Sequence, residues 1–128
     1  MPIIVDWDDD QKTVICYRYT GKWTWDEYGA AVETATRLID SVGHKVDIIG
    51  DFSEGVLVPS HALSNFRKSW NLRQPTGTVV LVINSSFLES MVNVFRRLYA
   101  EIGSRLYVTK SLEEARSLIA SKRQTGVE

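Results

Sequence analysis

Residues 45–61 read K-V-D-I-I-G-D-F-S-E-G-V-L-V-P-S-H, and the fold turns on this stretch. The run V-D-I-I-G-D is short, rich in β-branched residues and closed by Asp51, which predicts a buried strand that gives out into a polar loop. Two hydroxyls (Ser53 and Ser60), the Asp51 carboxylate and the His61 imidazole then gather before the next helical pattern. Strands of an open α/β sheet end in this way, at the side where such folds meet their ligands.

Upstream, I-I-V-D-W is again short and β-branched. After the turn D-D-D-Q-K comes T-V-I-C-Y-R-Y, in which Ile15, Tyr17 and Tyr19 alternate with Val14, Cys16 and Arg18. A period of two predicts a strand, and the two segments together predict an antiparallel hairpin. Gly21 supplies a bend, and Thr24 with Glu27 three residues on makes a capping box. The helix it opens carries Tyr28, Val32, Ala35, Leu38, Ile39 and Val42 on one face, with Gly43 as its expected stop.

Downstream, P-S-H-A-L-S-N-F-R-K-S-W predicts a second helix with Pro59 at or just before its first turn, where the missing N–H does no harm. T-V-V-L-V-I-N is apolar without alternation, the pattern of a strand covered on both faces. Ser86 with Glu89 makes a second capping box. Its helix carries Leu88, Met91, Val92, Phe95, Leu98, Tyr99 and Ile102 and closes at Gly103. R-L-Y-V is a short strand, and Ser111 with Glu114 opens the last helix. The order ββαβαβαβα predicts an α/β fold: a mixed, mostly parallel sheet with an N-terminal antiparallel hairpin and four helices. One domain is expected over residues 1–128, with residues 122–128 as a frayed tail.

Composition narrows the function classes. Fifteen basic residues against sixteen acidic ones leave a formal net charge of -1, which argues against a nucleic-acid partner. The single cysteine, Cys16, forms no internal disulfide, so a reducing, cytoplasmic setting is expected. No apolar run approaches the roughly 20 residues that span a bilayer, and the N-terminus lacks the basic start of a signal peptide.

Three loops project beyond the carboxyl ends of the predicted strands, at residues 51–59, 84–86 and 109–111. The functional reading is a polar or phosphate-sized site around Asp51, Ser53, Ser60 and His61. The structural reading makes Ser60, Ser86 and Ser111 helix N-caps, with Asp51 tying its own loop by side chain-to-backbone bonds. For Ser86 and Ser111 the cap is preferred; for Ser60 the two readings stand level. Catalysis is not expected: Ser60 and His61 are neighbours that point apart at a helix start, and no nucleophile elbow or Gly-rich phosphate loop is present. Metal and cofactor sites are not expected either. His44 and His61 lie in separate loops, and Asp8, Asp9 and Asp10 read as a solvated turn.

Trp7, Trp23, Trp25 and Trp70 fall at element ends rather than within the apolar stripes, either as interface residues or as caps on the core. Arg67, Lys68 and Arg73, with Arg96 and Arg97, read as a local basic patch or as solvated helix faces. Cys16 reads as a core residue.

The stretches T-G-K-W-T-W-D-E-Y, V-D-I-I-G-D-F-S and S-L-E-E-A-R-S-L-I, in this element order, resemble the STAS domains, the family of bacterial anti-sigma-factor antagonists. They are more similar still to the divergent STAS-like relatives, which are often grouped with lipid-binding CRAL-TRIO domains. In the antagonists a strand ending in D-L-S is followed by D-S-S-G-L-G, whose first serine is phosphorylated by a partner kinase. Asp51-Phe52-Ser53 matches the first element, and Ser60 falls at the phosphorylated serine. Pro59, His61 and Ala62 stand where the family has aspartate, serine and glycine, so a kinase reading that motif is not expected to accept this loop.

The resemblance implies a non-catalytic regulatory domain that binds a protein partner through residues 51–70, with Asp51, Ser53, Ser60, His61, Arg67 and Trp70 at the contact and Ser60 as a candidate phosphorylation site only. The alternative is a binder of a small apolar or lipid-like ligand, motivated by the aromatics and the CRAL-TRIO association. A hydrolase using Asp51, Ser60 and His61 comes third. Uncovered strand edges invite pairing, so a homodimer through the hairpin edge or an exposed Trp is a further expectation.

Overall fold

Every strand expected from the sequence joins one sheet. A computed structural model of the chain describes residues 2–54, 58–72 and 77–125, and of residues 70–72, 101–102 and 124–125 the backbone alone. Strands β1 (Ile3–Trp7), β2 (Val14–Tyr19), β3 (Asp47–Asp51), β4 (Val79–Val82) and β5 (Leu106–Thr109) lie side by side in chain order. The β1–β2 pair is antiparallel and the other three are parallel. The helices are α1 (Trp25–Asp40), α2 (Ala62–Leu72), α3 (Ser86–Leu98), the single turn α4 (Ala100–Gly103) and α5 (Leu112–Thr125). The fold is the α/β architecture expected, with four helices longer than one turn.

Strands added in one direction through right-handed crossovers put every crossover helix on the same face. Accordingly α1, α2 and α3 pack against Ile15, Tyr17, Ile48, Val79 and Leu106. Among the described elements only α5 crosses beneath, where Ala115 and Ile119 meet Val14, Cys16, Ile49, Val80 and Val82. The central strands are thus covered twice, which is why β4 shows no alternation. The outer strand β1 is not, and its Ile4 remains 49% exposed.

Local chemistry sets the element ends. The Thr24–Glu27 capping box forms in both directions, and Gly21 takes the left-handed φ of +59° that its bend requires. Helix α1 closes at Ser41, before Gly43. The cap of α3 is Ser85, not Ser86: Ser85 keeps an extended backbone and accepts the Leu88 N–H at 3.4 Å, whereas Ser86 is already helical. Ser111 accepts the Glu114 N–H at 3.1 Å, but the Glu114 carboxylate reaches back to the Lys110 N–H rather than to that of Ser111. The helix expected to run to Gly103 breaks at Tyr99, whose backbone leaves the helical region as its ring packs 5.0 Å from Phe95. Helix α2 begins at Ala62, later than Pro59, because His61 sits at φ +68° and cannot join a right-handed helix. Residues 122–125, expected to fray, continue α5, and residues 126–128 lie outside the described residues.

Two ion pairs tie α5 to the sheet. Arg116 grips Asp8 with both arms, at 2.8 and 2.9 Å. Arg123 reaches the buried Asp47 at 2.7 Å and also donates to the Thr13 hydroxyl and carbonyl. Asp47 accepts the Thr78 N–H at 2.8 Å as well, so one carboxylate joins the starts of β3 and β4 to α5. Gly77 is needed beside it, since a Cβ there would overlap the Asp47 Oδ1. The triple-aspartate turn is therefore more than a solvated loop. Asp9 accepts the Thr13 hydroxyl and the N–H groups of Thr13 and Val14. Burial alone would raise its carboxyl, but these donors and Arg123 hold it below the usual value.

Asp47→Ala leaves the Thr78 amide without its acceptor and Arg123 without its carboxylate, and is expected to cost about 2–3 kcal/mol in urea unfolding. Asp8→Ala removes the Arg116 pair but strands no backbone amide, and is expected to cost about 1 kcal/mol. Equal small losses at both sites would show that the Asp47 anchor contributes nothing special.

Candidate functional site

A doubly wound sheet binds ligands where its strand order reverses. Here the order never reverses, so the strand ends have no crevice of that kind, and the polar residues gathered there in sequence are parted in space. Asp51 follows Ile49 by two residues and so faces α5, on the opposite side of the sheet from α1 and α2. It is buried, and its Oδ1 accepts the Ser53 N–H at 3.0 Å. That is the loop-tying role of an Asx turn. Ser53 in turn presents its carbonyl to the Asn84 side chain at 3.4 Å.

Ser60 and His61 are exposed on the helix-covered side. The Trp25 indole N–H donates to the Ser60 carbonyl at 2.5 Å, and the Trp25 ring meets Phe66 edge-on at 5.3 Å. The first residue of α2 is Ala62, so Ser60 is not its N-cap, and among the described residues its hydroxyl makes no hydrogen bond. A relay from Asp51 through His61 to Ser60 has its carboxylate on the wrong face of the sheet. Residues 55–57 of the same loop lie outside the described residues.

The remaining candidates are scattered. Arg67 lays its guanidinium over the Tyr99 ring at 5.1 Å. Arg96 faces the far flank of α3, beside β5, away from Arg67. The side chain of Trp70, and Arg73 altogether, lie outside the described residues. Trp23 is a core residue; Trp7 and Trp25 pack against the core's end and are part-buried. Burial, reinforced by the Asp8 and Asp51 carboxylates, pushes the Cys16 thiol up to about 12, so it carries no thiolate near neutral pH.

What the sequence reading missed lies between α2 and α3. An apolar cavity of about 80 Å³ opens there, walled by Ile48, Gly50 and Leu81 of the sheet, Leu63 and Phe66 of α2, and Met91 and Val92 of α3. Gly50 keeps its floor open, since a Cβ there would stand 2.8 Å from a Leu81 methyl. The Tyr28 hydroxyl and Ser69 Oγ, 2.6 Å apart, fasten α2 to α1 behind it. Along the lip run Phe87 (73% exposed), Val94 (44%) and Leu98 (59%). With the cavity residue Met91 they occupy positions i, i+4, i+7 and i+11 of α3, one continuous stripe. Leu98, expected on the core face, belongs to this exposed stripe instead. The signal was legible as a second apolar series, offset from Leu88, Val92 and Phe95.

A scan against protein-family models finds no match for the chain, and no curated protein matches it.

Proposed function

We infer that this chain is a non-enzymatic binding domain that takes an apolar, lipid-like group into the cleft between α2 and α3. The observation that carries the reading is the apolar cavity edged by the exposed stripe Phe87–Val94–Leu98. Exposed apolar side chains in contiguous array mark contact sites, whereas single ones need no explanation. Size limits what enters. A cavity of about 80 Å³ is smaller than the roughly 150 Å³ that admits benzene, so it takes the end of a chain rather than a whole lipid. The rest of the chain lies along the stripe, which extends about 16 Å at 1.5 Å per residue. At its C-terminal end stand Arg67, over Tyr99, and the exposed Arg97, suited to an anionic headgroup.

Dodecanoate titrated into methyl-labelled protein is expected to shift the Met91 methyl signal first. Met91→Glu is expected to weaken binding by about tenfold or more, through burial of a charge in the cleft. A Met91 signal unmoved at about millimolar dodecanoate sinks the reading.

A second reading keeps the STAS-like regulatory role, with a protein partner at the start of α2. It is favoured by Ser60 and His61 standing in solvent on a rigid aromatic footing, the Trp25 indole bonded to the Ser60 carbonyl. A photo-crosslinker at His61 is expected to give one discrete protein adduct in cells, lost with Ser60→Glu. Only diffuse labelling, or an adduct indifferent to Ser60, counts against it.

A further inference from the structure

The two edges of the sheet are treated differently. In β1, the Pro2 carbonyl and the Asp8 N–H bond to the β2 side, so by alternation Ile3, Val5 and Trp7 point their backbone groups outward. That edge is blunted: Pro2 precedes it, and the outward Trp7 N–H is taken by the Asp6 carboxylate at 2.7 Å. In β5, the Arg105 and Thr109 carbonyls accept from Val79 and Ile83 of the β4 side, both at 2.9 Å. The N–H and C=O groups of Leu106 and Val108 therefore point outward, and no described strand pairs with them. A groove runs along this edge between α3 and α5, lined by Glu89, Asn93 and Arg96 on one wall and by Glu114 and Leu118 on the other.

The charges on the α3 wall are ordered along the helix. On α3 an acid (Glu89) precedes a base (Arg96) by seven residues on the face that lines the groove. On α5 the groove wall carries Glu113 and Glu114, and Lys122 lies 4.7 Å over the Tyr107 ring of the edge strand. A polarity of this kind is complementary to its own reverse. When the same edge is turned about a two-fold axis normal to the sheet, Glu89 meets Arg96 of the second copy.

We propose that β5 is a self-association edge: two copies of this chain pair β5 antiparallel to β5 about Tyr107, forming one continuous ten-stranded sheet with α3 beside α3 and α5 beside α5. Leu106 of one copy and Val108 of the other exchange two backbone bonds, and the reciprocal pair exchanges two more. The two Tyr107 side chains stand opposite each other at the axis. The interface is isologous, as a closed dimer requires, and it uses β5 rather than the hairpin edge. It stands independently of what the α2–α3 cleft binds.

Sedimentation of the full chain from low to several hundred micromolar is expected to show a mass rising to twice the 14.5 kDa of one chain. Val108→Pro removes an outward N–H that the fold itself does not use, and is expected to leave a folded monomer. Arg96→Glu is expected to raise the dissociation constant by about tenfold, and Glu89→Arg together with Arg96→Glu to restore it, since the swapped pair is again self-complementary. The charge variants carry the test if Val108→Pro does not fold. A monomer at every concentration overturns the proposal. So does a dimer indifferent to both Arg96→Glu and Val108→Pro.

Discussion

One constraint shapes this molecule: its parallel strands are laid down in a single direction. Right-handed crossovers then have no choice of side, and α1, α2 and α3 crowd onto one face while the other is left to α5. Each face of β3 and β4 must nonetheless exclude water. The burden on the second face falls on Ala115 and Ile119, with Leu112 and Leu118 at the margin. A helix with so few apolar residues needs other fastening, and the Arg116–Asp8 and Arg123–Asp47 pairs supply it. Asp47 is expected to contribute more because its carboxylate is also bonded to the Thr78 amide.

The same constraint decides where the fold leaves open space. A sheet without a reversal offers no crevice at its strand ends, and Asp51 is turned inward to organise its own loop. Space opens instead within the crowded layer, where α2 is held to α1 by Trp25, Tyr28 and Phe66 but stands off α3. Gly50 beneath and the bare stripe of α3 beside it leave a cleft lined by aliphatic and aromatic side chains, Tyr17, Tyr19 and Tyr28 among them.

Much of the fold was legible in the sequence, because local and long-range preferences agree. The alternation in β2, the Thr24–Glu27 box and the unbroken apolar run of β4 each name an element correctly. The errors fall where two neighbours offer the same chemistry or where backbone geometry overrides it. Ser85 and Ser86 are equally good caps by type, and only the extended backbone of Ser85 chooses between them. The left-handed His61 delays α2, and no residue-type rule announces it. The site was less legible. Asp51, Ser53, Ser60 and His61 are close in sequence, but the pleat sends Asp51 to one face and the crossover takes Ser60 and His61 to the other. The α3 stripe was hidden by a wider apolar arc, in which one core-facing series accounts for Leu88, Val92 and Phe95 and masks a second.

The account rests on α5 being structural, the sole described cover of a face that would otherwise be wet. Native-state hydrogen exchange measures this directly. The amides of Ala115 to Ile119 are expected to open with the same free energy as those of Ile48 to Gly50, within about 1 kcal/mol, because neither element survives without the other. Exchange in α5 through an opening easier by about 2 kcal/mol or more, with β3 still protected, would contradict it: the helix would then be an accessory to a sheet that stands without it.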